Sequence, residues 1–286
     1  PLRHARSQRG LSLIELMIAL VIGLVLVGVV LAAYVSSGFS SRHTQAMLQI
    51  TEDASVALNV IRSHVAMAGY SRPLAVTAHQ AFTKAYSGPA LFGCDASFKA
   101  IAQPIDTLDC DPAKATSDAI AVAFEADSGF SGNSLTSGGV PLDCLGNALP
   151  KSGVAPNDYY LSYSRFFVDQ PAGAPTRGLY CLGPGNVSAQ ALVENIERLE
   201  ILYGVAAVGG VQVIRYVPAS ELARADFARV VAVRLCVVVA SSGPVMDAAT
   251  PYQGCDQFAA PTRPDDKRMY RAFTSTMVLH NRLRNA

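Results

Sequence analysis

Apolar residues run almost unbroken from Leu16 to Val35, about 20 positions, enough for a helix to span a bilayer. The pattern then changes. Met47, Ile50, Ala54, Ala57, Leu58, Ile61, Val65 and Ala68 recur at three- and four-residue steps, one face of an amphipathic helix. Gln45, Gln49, Glu52, Asp53, Asn59 and Arg62 take the opposite face. No proline interrupts Leu11 to Ala68, so the spacing predicts one helix through both stretches, about 87 Å long if continuous. Gly23, Gly28 and Gly38 each weaken it by about 1 kcal/mol relative to Ala and mark places for bending. Gly69 supplies a C-cap, and Pro73 prevents the helix from resuming.

Beyond Tyr70 the period shortens. Ala119–Glu125, Tyr159–Val168, Arg198–Gly204, Val211–Val217, Arg229–Ala240 and Arg271–His280 are apolar or alternating runs, rich in Val, Ile, Tyr and Phe and bounded by turn residues. In the last run Ala272, Thr274, Thr276 and Val278 face one side, and Phe273, Ser275, Met277 and Leu279 the other. Ala219–Ala228 reads as a short helix capped by Ser220. Residues 127–156, 170–176 and 241–266 read as loops. The order predicts an α+β chain: a long N-terminal helix packed on a mainly antiparallel β-sheet, with no internal repeat.

Composition sharpens this layout. Half of the 286 residues are hydrophobic and the net charge is +1, so bulk electrostatics points to no partner. The part beyond the apolar segment is long enough for one sizeable core. Cys94, Cys110, Cys144, Cys181, Cys236 and Cys255 all follow that segment, none in a CxxC pair or at zinc-finger spacing with His. An even count beyond a membrane segment suggests disulfides in an oxidising compartment. Six cysteines allow 15 connectivities. Pairing in chain order, Cys94–Cys110, Cys144–Cys181 and Cys236–Cys255, staples three Gly/Pro/Asp-rich loops. The alternative leaves some as core thiols, chiefly Cys236 within its strand-like run.

One carboxylate, Glu15, sits in the apolar N-terminal segment behind a basic leader with Arg3, Arg6 and Arg9 that ends at Gly10. An intramembrane charge costs a few kcal/mol on the most lenient scale. A secretory signal peptide has the basic flank, but its apolar core is shorter and carries no carboxylate. A plain membrane anchor leaves Glu15 without a partner.

Gly10 followed by LSLIELMIAL resembles the class III signal of type IV pilins and pseudopilins. The resemblance implies that a prepilin peptidase cuts between Gly10 and Leu11 and methylates the new amine of Leu11, where most members carry Phe. It also maps the family's conserved glutamate onto Glu15. The new amine and Glu15 are about one helical turn apart. A buried ion pair costs far less than a lone charge, so Glu15 of one subunit paired with the amine of a neighbour sets filament register.

A narrower resemblance is to PilW-like minor pilins of the type IV pilus. It rests on Arg62, Ala68, Gly69 and Tyr70 at the helix end, on Val193–Val205, and on Tyr270–Arg282, where Leu279-His280-Asn281 departs from the usual Leu-Arg-Asn. It implies a type IV pilin fold with a leader at 1–10, a transmembrane half-helix at 11–35, an amphipathic half at 36–69 and a β-rich periplasmic domain at 70–286. The implied role is incorporation into the type IV pilus, in the tip complex that primes assembly and supports twitching motility and attachment. Implied partners are other minor pilins, the major pilin, a tip adhesin-like protein, the prepilin peptidase and the inner membrane, with display at the cell surface after assembly. A minor pseudopilin of a type II secretion system, or an anchored binding module that never polymerises, remains an alternative.

No enzyme, cofactor or metal is expected. His4, His43, His64, His79 and His280 are dispersed, and neither a nucleophile elbow nor a Walker loop occurs. The LGPGN segment at 182–186 reads as a turn. Ser12 satisfies itself against the backbone. Asp106, Asp109 and Asp111 lack EF-hand spacing and read as a solvated acidic loop. Arg263, Lys267, Arg268, Arg271, Arg282 and Arg284 read as charges that protect a strand edge, so nucleic acid is not expected as a partner.

Overall fold

The computed structural model describes residues 12–76, 82–114, 116–126, 135–153 and 158–281. The chain divides into two units, Pro1–Met47 and Leu48–Ala286. One helix, α1, covers Leu13–Met67 and keeps its helical assignment through Gly23, Gly28 and Gly38. In the first unit its Leu13–Tyr34 stretch has a mean hydropathy of 3.1, and none of it is buried in protein.

In the second unit α1 buries Ile50, Ala54, Ala57, Ile61 and Val65, and Ala68 just past its end is buried too; Met47 and Leu58, also expected in that stripe, are half-buried. Its polar face is only partly solvated. Ser242 Oγ donates to Gln49 Oε1 at 3.1 Å, and Asn195 Nδ2 donates to Asp53 Oδ2 at 3.4 Å. Gly69 ends the helix at φ +72°, where a Cβ is disfavoured, and its N–H donates to the Ala123 carbonyl at 3.0 Å. The exit is locked by Glu125, which is buried. Its carboxylate accepts from Ser71 Oγ at 2.6 Å and from Arg72 N at 2.9 Å, and pairs with Arg72 Nε at 3.0 Å.

Twelve strands follow among the described residues: β1 (Pro73–Val76), β2 (Phe82–Lys84), β3 (Leu91–Cys94), β4 (Ala119–Ala126), β5 (Lys151–Ser152), β6 (Tyr159–Asp169), β7 (Gly178–Leu182), β8 (Gln190–Glu194), β9 (Ile196–Ala206), β10 (Val213–Val217), β11 (Val230–Ala240) and β12 (Tyr270–Val278). They form a β1–β2 pair, a sheet in the order β3-β4-β6-β7-β8 with β5 added to β6, and a sheet in the order β10-β9-β11-β12. All pairings are antiparallel. β4, β9 and β11 supply much of the core: Ile120, Phe124, Leu199, Ile201, Tyr203 and Leu235 are all fully buried.

All six predicted strands form. β8 and β9 are separate because Asn195 adopts φ +62° between them. The expected helix at 219–228 is instead two 3-10 turns, Ala219–Glu221 and Arg224–Arg229, and Ser220 lies inside the first rather than capping it. Tertiary bonds decide this. Asp95 accepts from the N–H groups of both Ala219 and Ser220, at 2.7 and 2.9 Å, and Arg224 donates to the carbonyls of Ile105 and Leu108. A continuous α-helix cannot hold both ends on those anchors.

Ser117 and Asp118 join the two larger sheets along the side of β9 that β10 leaves open. Leu199 N donates to Ser117 Oγ at 2.9 Å, Asp118 N to Leu199 O at 2.8 Å, and Ile201 N to Asp118 Oδ2 at 2.6 Å. Burial, reinforced by the carboxylates of Asp95 and Glu200, pushes the Asp118 carboxyl up from 3.8 to about 7, against the opposing pull of the Ile201 N–H. The folded chain therefore holds a proton that the unfolded chain has released. Stability from this group is full below pH 3.8 and falls as pH rises towards 7. His64, edge-on to Phe166 and Phe124, acts in the opposite sense. Burial lowers its pKa below 6.5, so its contribution is lost as pH falls through that value. Asp118→Asn keeps an acceptor for Ile201 N and removes the ionisation. The variant is expected to match the parent at pH 4 and to exceed it at pH 8 by up to roughly 4 kcal/mol. Chemical denaturation of both proteins at each pH isolates Asp118 from His64; a constant difference across pH overturns the assignment.

Candidate functional site

The N-terminal segment starts its helix with a reciprocal cap. Ser12 Oγ accepts from Ile14 N at 3.3 Å, and Glu15 Oε2 accepts from Ser12 N at 2.9 Å. Glu15 supplies the N3 half of a Ser-x-x-Glu capping box, while Ser12 Oγ caps the N–H of the second helical residue, so each side chain satisfies a backbone donor that the first turn leaves open. Glu15 thus has a partner within its own chain, in the first turn, where the helix dipole favours negative charge. The side chains that follow, Leu16, Met17, Ile18, Leu20, Val21 and Ile22, are all exposed. Gly10 and Leu11 lie outside the described residues.

The structure joins Cys94 to Cys110, Cys144 to Cys181 and Cys236 to Cys255, at sequence separations of 16, 37 and 19. No cysteine is free. The Cys94–Cys110 loop is also held through its carbonyls. Gln103 O accepts from Tyr163 Oη at 2.8 Å and from Arg165 Nη2 at 3.3 Å, while Arg224 reaches Ile105 O and Leu108 O. The second bridge brings Asp143 against the turn at Gly183 and Gly185. Asp143 Oδ1 accepts from Leu145 N and Asn147 N at 2.8 and 2.9 Å, and Asn186 Nδ2 donates to Oδ2. A Cβ at Gly183 would lie 2.3 Å from that carboxylate, so the LGPGN turn needs its glycine for close approach.

Among the described residues no three His, Cys, Asp or Glu side chains gather as metal ligands. Asp109 pairs with Arg224 at 3.4 Å, and Asp111 Oδ1 accepts from Ala113 N. The C-terminal cations do not form one face. Arg268 pairs with Glu197 and donates to Ser241 O at 2.6 Å, Arg271 alone of the set stands on β12, and Arg282 and Arg284 lie outside the described residues. Several positioning groups escaped the sequence reading: Glu125, Asp118, Asp143, Arg165 and Arg224. Their signal was a charge inside or abutting an apolar run, as in AIAVAFE, but their partners lie far away in the chain.

Residues 165–281 match the family described as Type IV Pilus-assembly protein W, and residues 5–31 match the Prokaryotic N-terminal methylation motif. The first match runs from within β6 to just beyond β12. The second contains Gly10, Leu11 and Glu15. No curated protein matches the chain. Among solved structures it is similar to the type IV-like pilin TTHA1219 from Thermus thermophilus, at 12% identity and a TM-score of 0.40, over 82% of this chain and 98% of that one. The two sequence matches make the chain PilW-like, with an N-terminal apolar helix suited to membrane anchoring.

Proposed function

We propose that this PilW-like chain is a minor pilin, cut between Gly10 and Leu11, methylated at Leu11, and built into a type IV pilus within the complex that primes its assembly. The observation that carries the reading is the coincidence of the methylation motif at 5–31 with the capped first turn that holds Glu15 ahead of a membrane-length apolar helix. The capping box offers the carboxylate a local partner before assembly. The amine freed at Leu11 of a neighbour offers a stronger one in the filament, because opposite charges in low dielectric neutralise each other. The rest of the chain, from the amphipathic half-helix onward, is a periplasmic domain in this reading. Oxidising conditions there suit its three disulfides.

The proposed partners are the major pilin, other minor pilins, a tip adhesin-like protein and the prepilin peptidase. Surface display, attachment and twitching motility follow from assembly. The match to the Type IV Pilus-assembly protein W family favours a pilus over a type II secretion pseudopilin. Mass spectrometry of the protein from its host membranes tests the reading. The expected N-terminal peptide begins at a methylated Leu11; an intact leader, or a cut near Ser36, overturns it.

A further inference from the structure

One aromatic side chain of the globular unit is held out in solvent. Phe258 is 97% exposed, and among the phenylalanines whose side chains are described it alone is exposed. The loop that carries it is braced at three levels. Tyr252 and Thr262 close it with two backbone bonds, at 3.0 and 2.9 Å, and the Tyr252 ring stacks on Tyr270 at 4.8 Å. Cys255 ties it to Cys236 in β11. At the tip, Gln253 Nε2 donates to the carbonyls of Asp256 and Ala259 at 2.6 and 3.2 Å, and Asp256 Oδ1 accepts from Phe258 N at 2.9 Å. A ring fixed in this way loses little freedom on binding, and aromatic rings dominate the energetics of protein contacts. A recess that suits it lies elsewhere on the same chain. A cavity of about 380 Å³ opens between β3 and the 3-10 turn Arg224–Arg229, lined by Leu91, Phe92, Ile105 and Phe227. Arg224 lies over the Phe92 ring at 4.1 Å, held by the carbonyls of Ile105 and Leu108 and paired with the exposed Asp109 at 3.4 Å.

We propose that Phe258 of one copy seats in this recess of a second copy, with Asp256 set beside Arg224. The ring then meets Phe92 and Phe227, and the carboxylate meets the guanidinium at the rim, so shape and charge both match. Knob and recess are different surfaces, so the contact is heterologous and does not close on itself. Its polarity follows from where the two surfaces lie. The recess is near the C-terminal end of α1: Ala90 O accepts from Ala123 N at 2.9 Å, and Ala123 O accepts from Gly69 N at 3.0 Å. The loop leaves β11 at Ser241 and Ser242, and Ser242 is bonded to Gln49 of α1. A copy shifted along the helix direction therefore brings its knob to the recess of the copy behind it, with both helices pointing the same way. One membrane orientation and a polar fibre both require that arrangement. The inference rests on the filament reading, since two copies at one height in a membrane lack the shift.

The test uses the full chain in sheared fibres from its host. All six native cysteines are bridged, so Ala225→Cys at the recess and Ala259→Cys at the knob add two reporter thiols; both positions are exposed. A short bismaleimide is expected to give a ladder of dimers and trimers from the double variant and none from either single one. Ser87→Cys with Gln257→Cys, a second exposed pair at the same contact, is expected to give the same ladder. Ala225→Cys with Val187→Cys, a fully exposed position on another turn, is expected to give none. Phe258→Ala on the first pair is expected to weaken the ladder by at least about tenfold. Its Tm in detergent is expected to match the parent, because the ring is solvated. A fibre-borne chain that gives only monomer from both pairs, an equal ladder from the Val187 control, an undiminished ladder from Phe258→Ala, or a cross-link to a different protein each overturns the contact and leaves the filament reading standing. Absence of the parent chain from fibres overturns the filament reading and this contact with it.

Discussion

Glu15→Ala is expected to lower the amount of this protein in sheared fibres by at least about tenfold, while the leader is still removed. The magnitude follows from the cost of an unmatched charge. A carboxylate or an ammonium within a bilayer-length helix costs about 2.5–3.5 kcal/mol on the insertion scale, and each 1.4 kcal/mol is about a factor of ten. In the proposed filament, removing Glu15 leaves the amine of the neighbouring subunit without its counter-ion. The variant also loses the acceptor for Ser12 N, worth about 1 kcal/mol as a cap. Glu15→Gln separates the two roles, since glutamine serves in a capping box but carries no charge. It is expected to be as defective as the alanine variant. Immunoblots of sheared fibres against the membrane pool measure both, and wild-type incorporation of Glu15→Gln would falsify the charge-pairing role.

The second large effect is on stability. Replacing Cys144 and Cys181 together with alanine opens the longest of the three loops, with a separation of 37 residues. Chain-entropy arithmetic for a loop of that size gives about 4 kcal/mol. For a domain of this size, 1 kcal/mol shifts Tm by about 2–4 °C, so Tm is expected to fall by about 8–16 °C. The Asp143 bonds to Leu145, Asn147 and Asn186 remain but no longer have a covalent backstop. Opening Cys94–Cys110 removes a shorter loop, with a separation of 16, whose carbonyls Tyr163, Arg165 and Arg224 still hold. Its Tm is expected to fall less. Thermal unfolding of the detergent-solubilised chain compares the two variants, and the reverse order would show that loop size does not set the effect.

Where the sequence reading failed, distance in the chain explains it. β5 has two residues and lies in a segment read as loop; it exists because Tyr159 and Tyr160 offer it a partner. β7 and β8 are each five residues, too short for alternation to stand out from Gly- and Pro-rich surroundings. The expected helix at 219–228 had good local propensity but yielded to Asp95, more than 120 positions away. Of the C-terminal cations read as edge protection, Arg271 does stand exposed on β12, an outer strand of its sheet, whereas Arg268 turns to Glu197, a partner 71 positions away. Gly10 and Leu11 are legible only as a motif, whereas Glu15 is legible twice, as a misplaced charge and as half of a capping box.

The amino-acid sequence by itself determined the apolar span, the buried stripe of α1, its stop at Gly69 and the six principal strands. These follow from periodicity, capping and turn chemistry, which each residue settles with neighbours a few positions away. Only the tertiary structure decided the order β10-β9-β11-β12, the bond from Ile201 to Asp118 across 83 positions, and which strand is left with an open edge. Those depend on which of many compatible strands meet. That choice is made by burying the most apolar surface while leaving the fewest polar groups unpaired, and no local window of sequence contains it.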